Sequence, residues 1–175
     1  MTSDMYERSK KILSRLEARC SKCEYCSSDI YRKALEALKR EAGPEADMEE
    51  LREAADGILS SLVTDRFVDD LRYATAFARE KSSITGWGKV KIRFALAAKK
   101  IPESVIREAL GEIDEGVSGD RLVKMLAAKW KTLSAPDGKP LQDAKLKLIR
   151  FALTRGYEYE DVRSAVESVI RDGQS

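Results

Sequence analysis

The chain contains no histidine. That removes the Ser-His and Cys-His pairs, the usual neutral-pH acid/base and the commonest metal ligand. No Gly-x-x-x-x-Gly-Lys-Ser/Thr loop is present, which excludes nucleotide hydrolysis by that route. Gly86-Trp87-Gly88 is too short to cradle a phosphate and reads as a turn before a helix. No apolar run approaches the roughly 20 residues needed to span a bilayer. Residues 1–20 lack an apolar core followed by a small-residue cleavage site, so a cytoplasmic protein without membrane contact is expected. Cys20, Cys23 and Cys26 stand three apart, as in some metal sites, but a structural zinc wants four ligands. Neither a fourth cysteine nor a histidine exists, and Asp29 would make an unusual substitute. An odd count without an export signal argues equally against a disulfide scaffold. Reduced cysteines at a helix junction are the expectation, with redox chemistry or metal binding as the alternatives. Nothing assembles a nucleophile, a base and an electrophile, so neither an enzyme nor a cofactor is expected.

What is present favours helices. Only four prolines and ten glycines interrupt 175 residues, and long stretches use Ala, Leu, Arg, Lys and Glu. No window of four or more residues alternates as a strand would. Apolar residues fall instead at spacings of three and four: Ile58, Leu59, Leu62 and Val63; Tyr73, Ala74 and Phe77; Val105, Ile106, Ala109 and Leu110. These stripes, with Phe94 and Tyr157, are assigned to the core. Ile92-Arg93-Phe94-Ala95-Leu96 recurs as Ile149-Arg150-Phe151-Ala152-Leu153, with a weaker echo at Tyr31-Arg32-Lys33-Ala34-Leu35. The pattern predicts nine helices in three triplets: 4–20, 27–42 and 47–63; 68–82, 86–100 and 103–114; 118–132, 141–155 and 159–171. Gly43-Pro44, Ser83 to Gly88, Glu115 to Gly119 and Ala135 to Pro140 carry the breaker residues between helices. Pro102 suits a first helical turn, Gly156 a helix stop, and Ser27, Ser28 and Asp29 an N-cap. Asp69 and Asp70 are expected to cap the helix that they precede.

Charge alternates in blocks. The formal net charge is only +2, yet residues 71–100 carry eight cations against one carboxylate and residues 121–155 nine against two. Residues 41–70 carry ten carboxylates against two cations, and 101–120 six against one. If like blocks come together, the surface has a basic face; the alternative is solvated helices with clumped charge. The first basic block comprises Arg72, Arg79, Lys81, Lys89, Lys91, Arg93, Lys99 and Lys100. Lys89, Arg93 and Lys100 fall within about 40° of one another on an ideal helix. Lys145, Lys147, Arg150 and Arg155 form the analogous block near the C-terminus. Such a stripe can contact DNA phosphates or acidic protein, with strong salt dependence. Trp87 and Trp130 either anchor packing between repeats, the favoured reading, or stack on a base.

The run Leu62-Val63-Thr64-Asp65-Arg66-Phe67-Val68-Asp69-Asp70-Leu71-Arg72-Tyr73-Ala74, followed by Phe77, Arg79 and Lys81, resembles the signature of the RecX family. The resemblance continues through Gly86, Gly88, Ile92, Leu96, Lys99 and Ile101, with Lys100 where the family has glycine. Leu126-Ala127-Ala128-Lys129-Trp130-Lys131 and Arg155-Gly156-Tyr157 resemble elements of the third triplet, and the likeness is weakest before residue 58. It implies an all-α, elongated and curved array of three tandem three-helix repeats, at approximately 4–66, 67–116 and 117–173 within one domain. It further implies a monomeric regulator that binds the RecA recombinase filament on single-stranded DNA. Such a protein inhibits or modulates RecA ATPase, strand exchange and coprotease activity in recombination, DNA repair and the SOS response. The twelve basic residues are the candidates for contact with filament or DNA. The alternatives are a helical nucleic-acid-binding protein without a recombinase partner and a helical scaffold for an acidic protein.

Overall fold

The computed structural model describes residues 3–133 and 141–173. Among these residues lie nine helices and no strand. They are α1 (Ser3–Cys20), α2 (Ser27–Ala42), α3 (Met48–Thr64), α4 (Asp70–Ser83), α5 (Lys89–Ala98), α6 (Glu103–Gly111), α7 (Glu115–Leu133), α8 (Leu141–Thr154) and α9 (Tyr159–Asp172). The all-helical expectation holds, and the helices lie close to the predicted spans.

One predicted break is absent. Glu115 to Gly119, expected as a turn, form the start of α7. The reason is Asp114, whose carboxylate accepts the Val117 N–H at 2.9 Å while its carbonyl accepts the Ser118 N–H at 3.0 Å. A strong cap thus outweighs the helix cost of Gly116 and Gly119. The other predicted break, Ala135 to Pro140, lies outside the described residues.

The chain divides into two compact units, Met1–Ala74 with Lys99–Val105, and Thr75–Ala98 with Ile106–Ser175. In the first unit Ile12 and Leu16 of α1, Ile30, Ala34 and Leu38 of α2, and Leu51, Ala55, Ile58 and Leu62 of α3 close one apolar core. Their spacing of three, four and seven puts each set on one helix face. Val63, expected in this core, is instead 46% exposed, one position past the buried edge marked by Leu62. In the second unit Leu122 and Leu126 of α7, Leu148 and Ala152 of α8, and Val162, Val166 and Val169 of α9 form the corresponding core. Tyr157 is buried there as expected.

The pentapeptide repeat is rotated between its copies. In α2 and α8 the alanine of the motif, Ala34 or Ala152, is fully buried and the arginine, Arg32 or Arg150, is exposed. In α5 the buried pair is Ile92 and Leu96, so the motif sits one residue, about 100°, out of phase. Phe94, assigned to the core from the sequence, therefore faces away from it and is 72% exposed. With one face of α5 packed on the core, Phe94 and the Ile92–Leu96 edge cannot share that face. Two apolar contacts four residues apart decide the phase against one aromatic between them.

Candidate binding surface

Several of the basic residues singled out in the sequence lie at the junction of α1, α2 and α4 in the first unit. Cys20 ends α1, Cys23 is exposed in the turn and buried Cys26 precedes α2, all three as free thiols. Partial burial pushes the Cys20 thiol up, with Glu24 acting in the same direction. The N-cap of α2 differs from the expectation. Cys26 occupies the cap position without a side-chain capping bond, and the Ser27 N–H donates instead to the Asp70 carboxylate at 2.7 Å. Asp69 caps its own helix as expected, accepting the N–H groups of Leu71 and Arg72 at 2.9 and 3.0 Å. The adjacent aspartates thus serve different helices, because neighbouring side chains diverge by about 100° around an axis.

Arg72 and Lys99 pin this junction. The Arg72 guanidinium donates to Glu24 at 2.6 Å and to the carbonyls of Arg66 and Phe67 at 3.2 and 3.4 Å. The Lys99 ammonium donates to Asp29 at 2.6 Å and lies 5.6 Å from the centre of the Tyr73 ring. The Lys99 carbonyl accepts the Ser28 hydroxyl at 2.5 Å. Partial burial raises the Asp29 carboxyl, but hydrogen bonds from Lys99, Cys26 and Arg32 outweigh it and hold it below its ordinary value. The Asp29 bond holds the Lys99 ammonium above its own. Lys100, where the resemblance expects glycine, adopts the left-handed conformation at φ 59°. It lies beyond the end of α5, so the predicted stripe of Lys89, Arg93 and Lys100 on one helix is not formed.

The second unit holds the remaining candidates. Here the start of α5 meets the end of α8. The Gly88 N–H donates to the Arg155 carbonyl at 2.8 Å, and the Val90 N–H to the Gly156 carbonyl at 3.0 Å. A Cβ on Gly88 would lie under 3.0 Å from the Gly156 carbonyl, and one on Gly156, at φ 83°, equally close to the Lys91 backbone. Backbone contact of this kind requires glycine on both sides. Trp87 packs edge-on against Phe77 with ring centres 6.4 Å apart, between the ammonium groups of Lys91 at 4.5 Å and Lys81 at 5.7 Å. Lys81 also pairs with Glu80 at 2.8 Å. On the α8 side Phe151 carries the Arg155 guanidinium at 4.7 Å and the Lys129 ammonium at 5.6 Å. Cations held over ring faces are positioned more firmly than free surface lysines.

The other basic candidates form exposed or half-exposed ion pairs or lie on exposed positions. Arg79 pairs with Glu112 at 3.0 Å, Lys89 with Glu115 at 3.0 Å and Lys145 with Glu167 at 3.8 Å. Arg93 lies on the exposed flank of α5, and Lys147 and Arg150 on exposed positions of α8. Pairs this exposed exchange readily with water or a polyanion. Trp130 is half-buried against the α7–α8–α9 core. No carboxylate occurs between Glu80 and Glu103, a run that contains six cations. Among the described residues no group of three or more cysteine or acidic side chains could hold a metal ion, and no helix is long and apolar enough to cross a membrane.

Sequence reasoning missed the Gly88–Gly156 contact and the exposure of Phe94. The signal for the second was Lys89 to Phe94, which alternates charged and apolar residues against the expectation that no window does, since a helix cannot direct Val90, Ile92, Phe94 and Leu96 all to one side.

Comparison with known proteins places the chain beside one group. The sequence model described as RecX, second three-helix domain, matches residues 69–110. The regulatory protein RecX of Chromohalobacter salexigens is 34% identical over 109 residues, covering 62% of this chain and 67% of that protein. That of Clostridium tetani is 29% identical over 113 residues, covering 65% of this chain and 51% of that protein. The chain thus spans about half the length of the clostridial relatives that it matches. The crystal structure of RecX from Lactobacillus salivarius superposes with a TM-score of 0.76 at 15% identity, covering 94% of this chain and 97% of that one. A second RecX crystal structure gives a TM-score of 0.76 at 24% identity, covering 94% and 74%. At these identities the structures speak for the fold.

Proposed function

Because the chain belongs to the RecX family, we propose that it is a non-enzymatic regulator that binds the RecA filament on single-stranded DNA. In this reading it acts as a cytoplasmic monomer and inhibits or modulates RecA ATPase, strand exchange and coprotease activity, and so recombination, repair and the SOS response. The observation that carries the reading is the carboxylate-free run between Glu80 and Glu103, which falls inside the segment matched by the second three-helix domain. A carboxylate-free segment with exposed cations such as Arg93 and Lys100 can offer them to the phosphates and acidic side chains of a filament. Contacts from several helices to neighbouring filament subunits add in effective concentration, so that modest single contacts suffice. Bridging of this kind changes subunit exchange with no chemical step.

The exposed candidates Arg79, Arg93, Lys100, Lys147 and Arg150, with the half-exposed Lys89, Lys91, Lys145 and Arg155, supply those contacts. Arg72, Lys81 and Lys99 act mainly by holding local structure. The test is DNA-dependent ATP hydrolysis by RecA from the same organism with increasing amounts of this protein. Suppression at substoichiometric protein, relieved when Lys147 and Arg150 are both replaced by glutamate, is the expected result. Unchanged turnover at every ratio together with failure to co-sediment with filaments would overturn the reading. Binding to naked DNA as tight as to filament at physiological salt would favour a nucleic-acid-binding protein with no recombinase partner.

A further inference from the structure

The rotation of the repeat in α5 leaves a surface that basic residues alone do not explain. Ile92 and Leu96 define the buried face, and Phe94 lies about 180° from its centre. Val90, Ala97 and Ala98 fall on the same outward half of the helix, at roughly 40–60° to either side of Phe94. A helix apolar on both faces is normally buried on both. Here only one is covered: Phe94 is 72% exposed, and Ala97 and Ala98 are exposed beside it. The equivalent outward positions of α2 and α8 carry arginine, Arg32 and Arg150. On α8 the flanking Leu146 and Leu153 are exposed as well, so what is particular to α5 is the aromatic at the centre of its outward face.

We propose that the outward face of α5, centred on Phe94, is a protein-docking anchor that seats in an apolar socket rimmed by carboxylates on its partner. The inference rests on the reading of a RecA filament as partner and assigns this face to the protein component of the filament, not to its DNA. Charge supplies the rim: Lys91 and Arg93 border the apolar stripe on its two sides, within a run that holds no carboxylate. The stripe itself supplies the choice of protein. A base stacks on one ring face, whereas Val90, Ala97 and Ala98 extend the apolar contact along the helix axis, where only a protein groove matches them. The Lys91 ammonium, moreover, is held 4.5 Å over the Trp87 ring, and so frames the stripe instead of projecting beside Phe94 toward a phosphate. An exposed aromatic inside a cationic border has the make-up of an interface hot spot.

The experiment measures binding of fluorescently labelled wild-type, Phe94→Ala and Phe94→Leu proteins. The targets are RecA filaments on an oligo-dT held with a non-hydrolysable ATP analogue, and the same oligonucleotide without RecA. Circular dichroism verifies that helix content is unchanged, as the exposure of the side chain predicts. The expected result is a loss of filament affinity of about tenfold or more for Phe94→Ala and less than about threefold for Phe94→Leu. Binding to the bare oligonucleotide stays the same for all three. Wild-type affinity of Phe94→Ala for the filament overturns the inference while leaving the proposed function standing. An equal loss on bare DNA overturns it in favour of base stacking. Failure of the wild-type protein to bind filaments overturns both readings together.

Discussion

Two glycine-to-alanine substitutions should move stability in opposite directions. Gly57 lies in the interior of α3 with no atom within 4 Å of where a Cβ would stand, whereas a Cβ on Gly88 would overlap the Gly156 carbonyl and the Tyr157 nitrogen. At Gly57 the methyl lowers the entropy of the unfolded chain and meets nothing, a gain of about 0.5–1 kcal/mol. At Gly88 the obstacle is backbone, which cannot rotate aside. Parting the two segments costs about 1–3 kcal/mol as overpacking. It also weakens the hydrogen bonds from Gly88 and Val90 to Arg155 and Gly156, each worth about 1 kcal/mol. The sum is a loss of about 2–4 kcal/mol. The assay exploits the placement of the tryptophans, since Trp87 and Trp130 both belong to the second unit. Urea unfolding followed by tryptophan fluorescence reports that unit, while circular dichroism reports both. Gly88→Ala should lower the fluorescence midpoint and Gly57→Ala should raise the dichroism midpoint. A Gly88→Ala protein within about 0.5 kcal/mol of wild type, the scatter of neutral surface changes, would refute the backbone-contact argument.

Two further outcomes follow from the first unit. Lys100→Gly should stabilise it by about 0.5–1 kcal/mol, because relief of the left-handed conformation outweighs the added entropy of glycine in the unfolded chain; a loss of stability in urea titrations would count against this. Asp29 ionises more readily when folded, so its contribution is present above its unfolded value and is lost as pH falls through the lower folded one. Lys99, held upward, loses its contribution only as pH rises through its raised value. The pair therefore stabilises between roughly pH 4 and pH 10, and Asp29→Asn should flatten the fall in urea midpoint between pH 5 and pH 3. An unchanged slope in that variant would place the acid sensitivity elsewhere.

What the sequence made legible was local. Caps, breakers and three-four spacing located the helices because each signal acts within one turn of the chain. Tyr157 read as core since its stripe and the chain's burial agree. The failures were at places where a distant element decides. The cap of α2 comes from Asp70, 43 residues away, and no local rule assigns a carboxylate to another helix when its own is one residue on. The identity of Ile92 to Leu96 with Ile149 to Leu153 suggested a common register, but burial is set by the neighbours that each helix meets. Likewise Lys99 read as part of a basic block, while its position against Asp29 and Tyr73 makes it a fastening for the junction.

That distinction changes how the basic residues should be weighed. Charge content alone treats the twelve candidates alike. Geometry separates Arg72 and Lys99, each holding backbone or a buried-edge carboxylate, from residues such as Lys147 and Arg150 that lie exposed on α8. Neutralising the first pair would damage the fold and reduce any activity indirectly, through local melting of the α2 and α4 starts. Neutralising the second pair perturbs the surface potential and little else. A variant series meant to find a polyanion contact therefore has to begin on α8 and the exposed flank of α5. Loss of binding there, with the urea midpoint unchanged, is a statement about the surface and not about the fold.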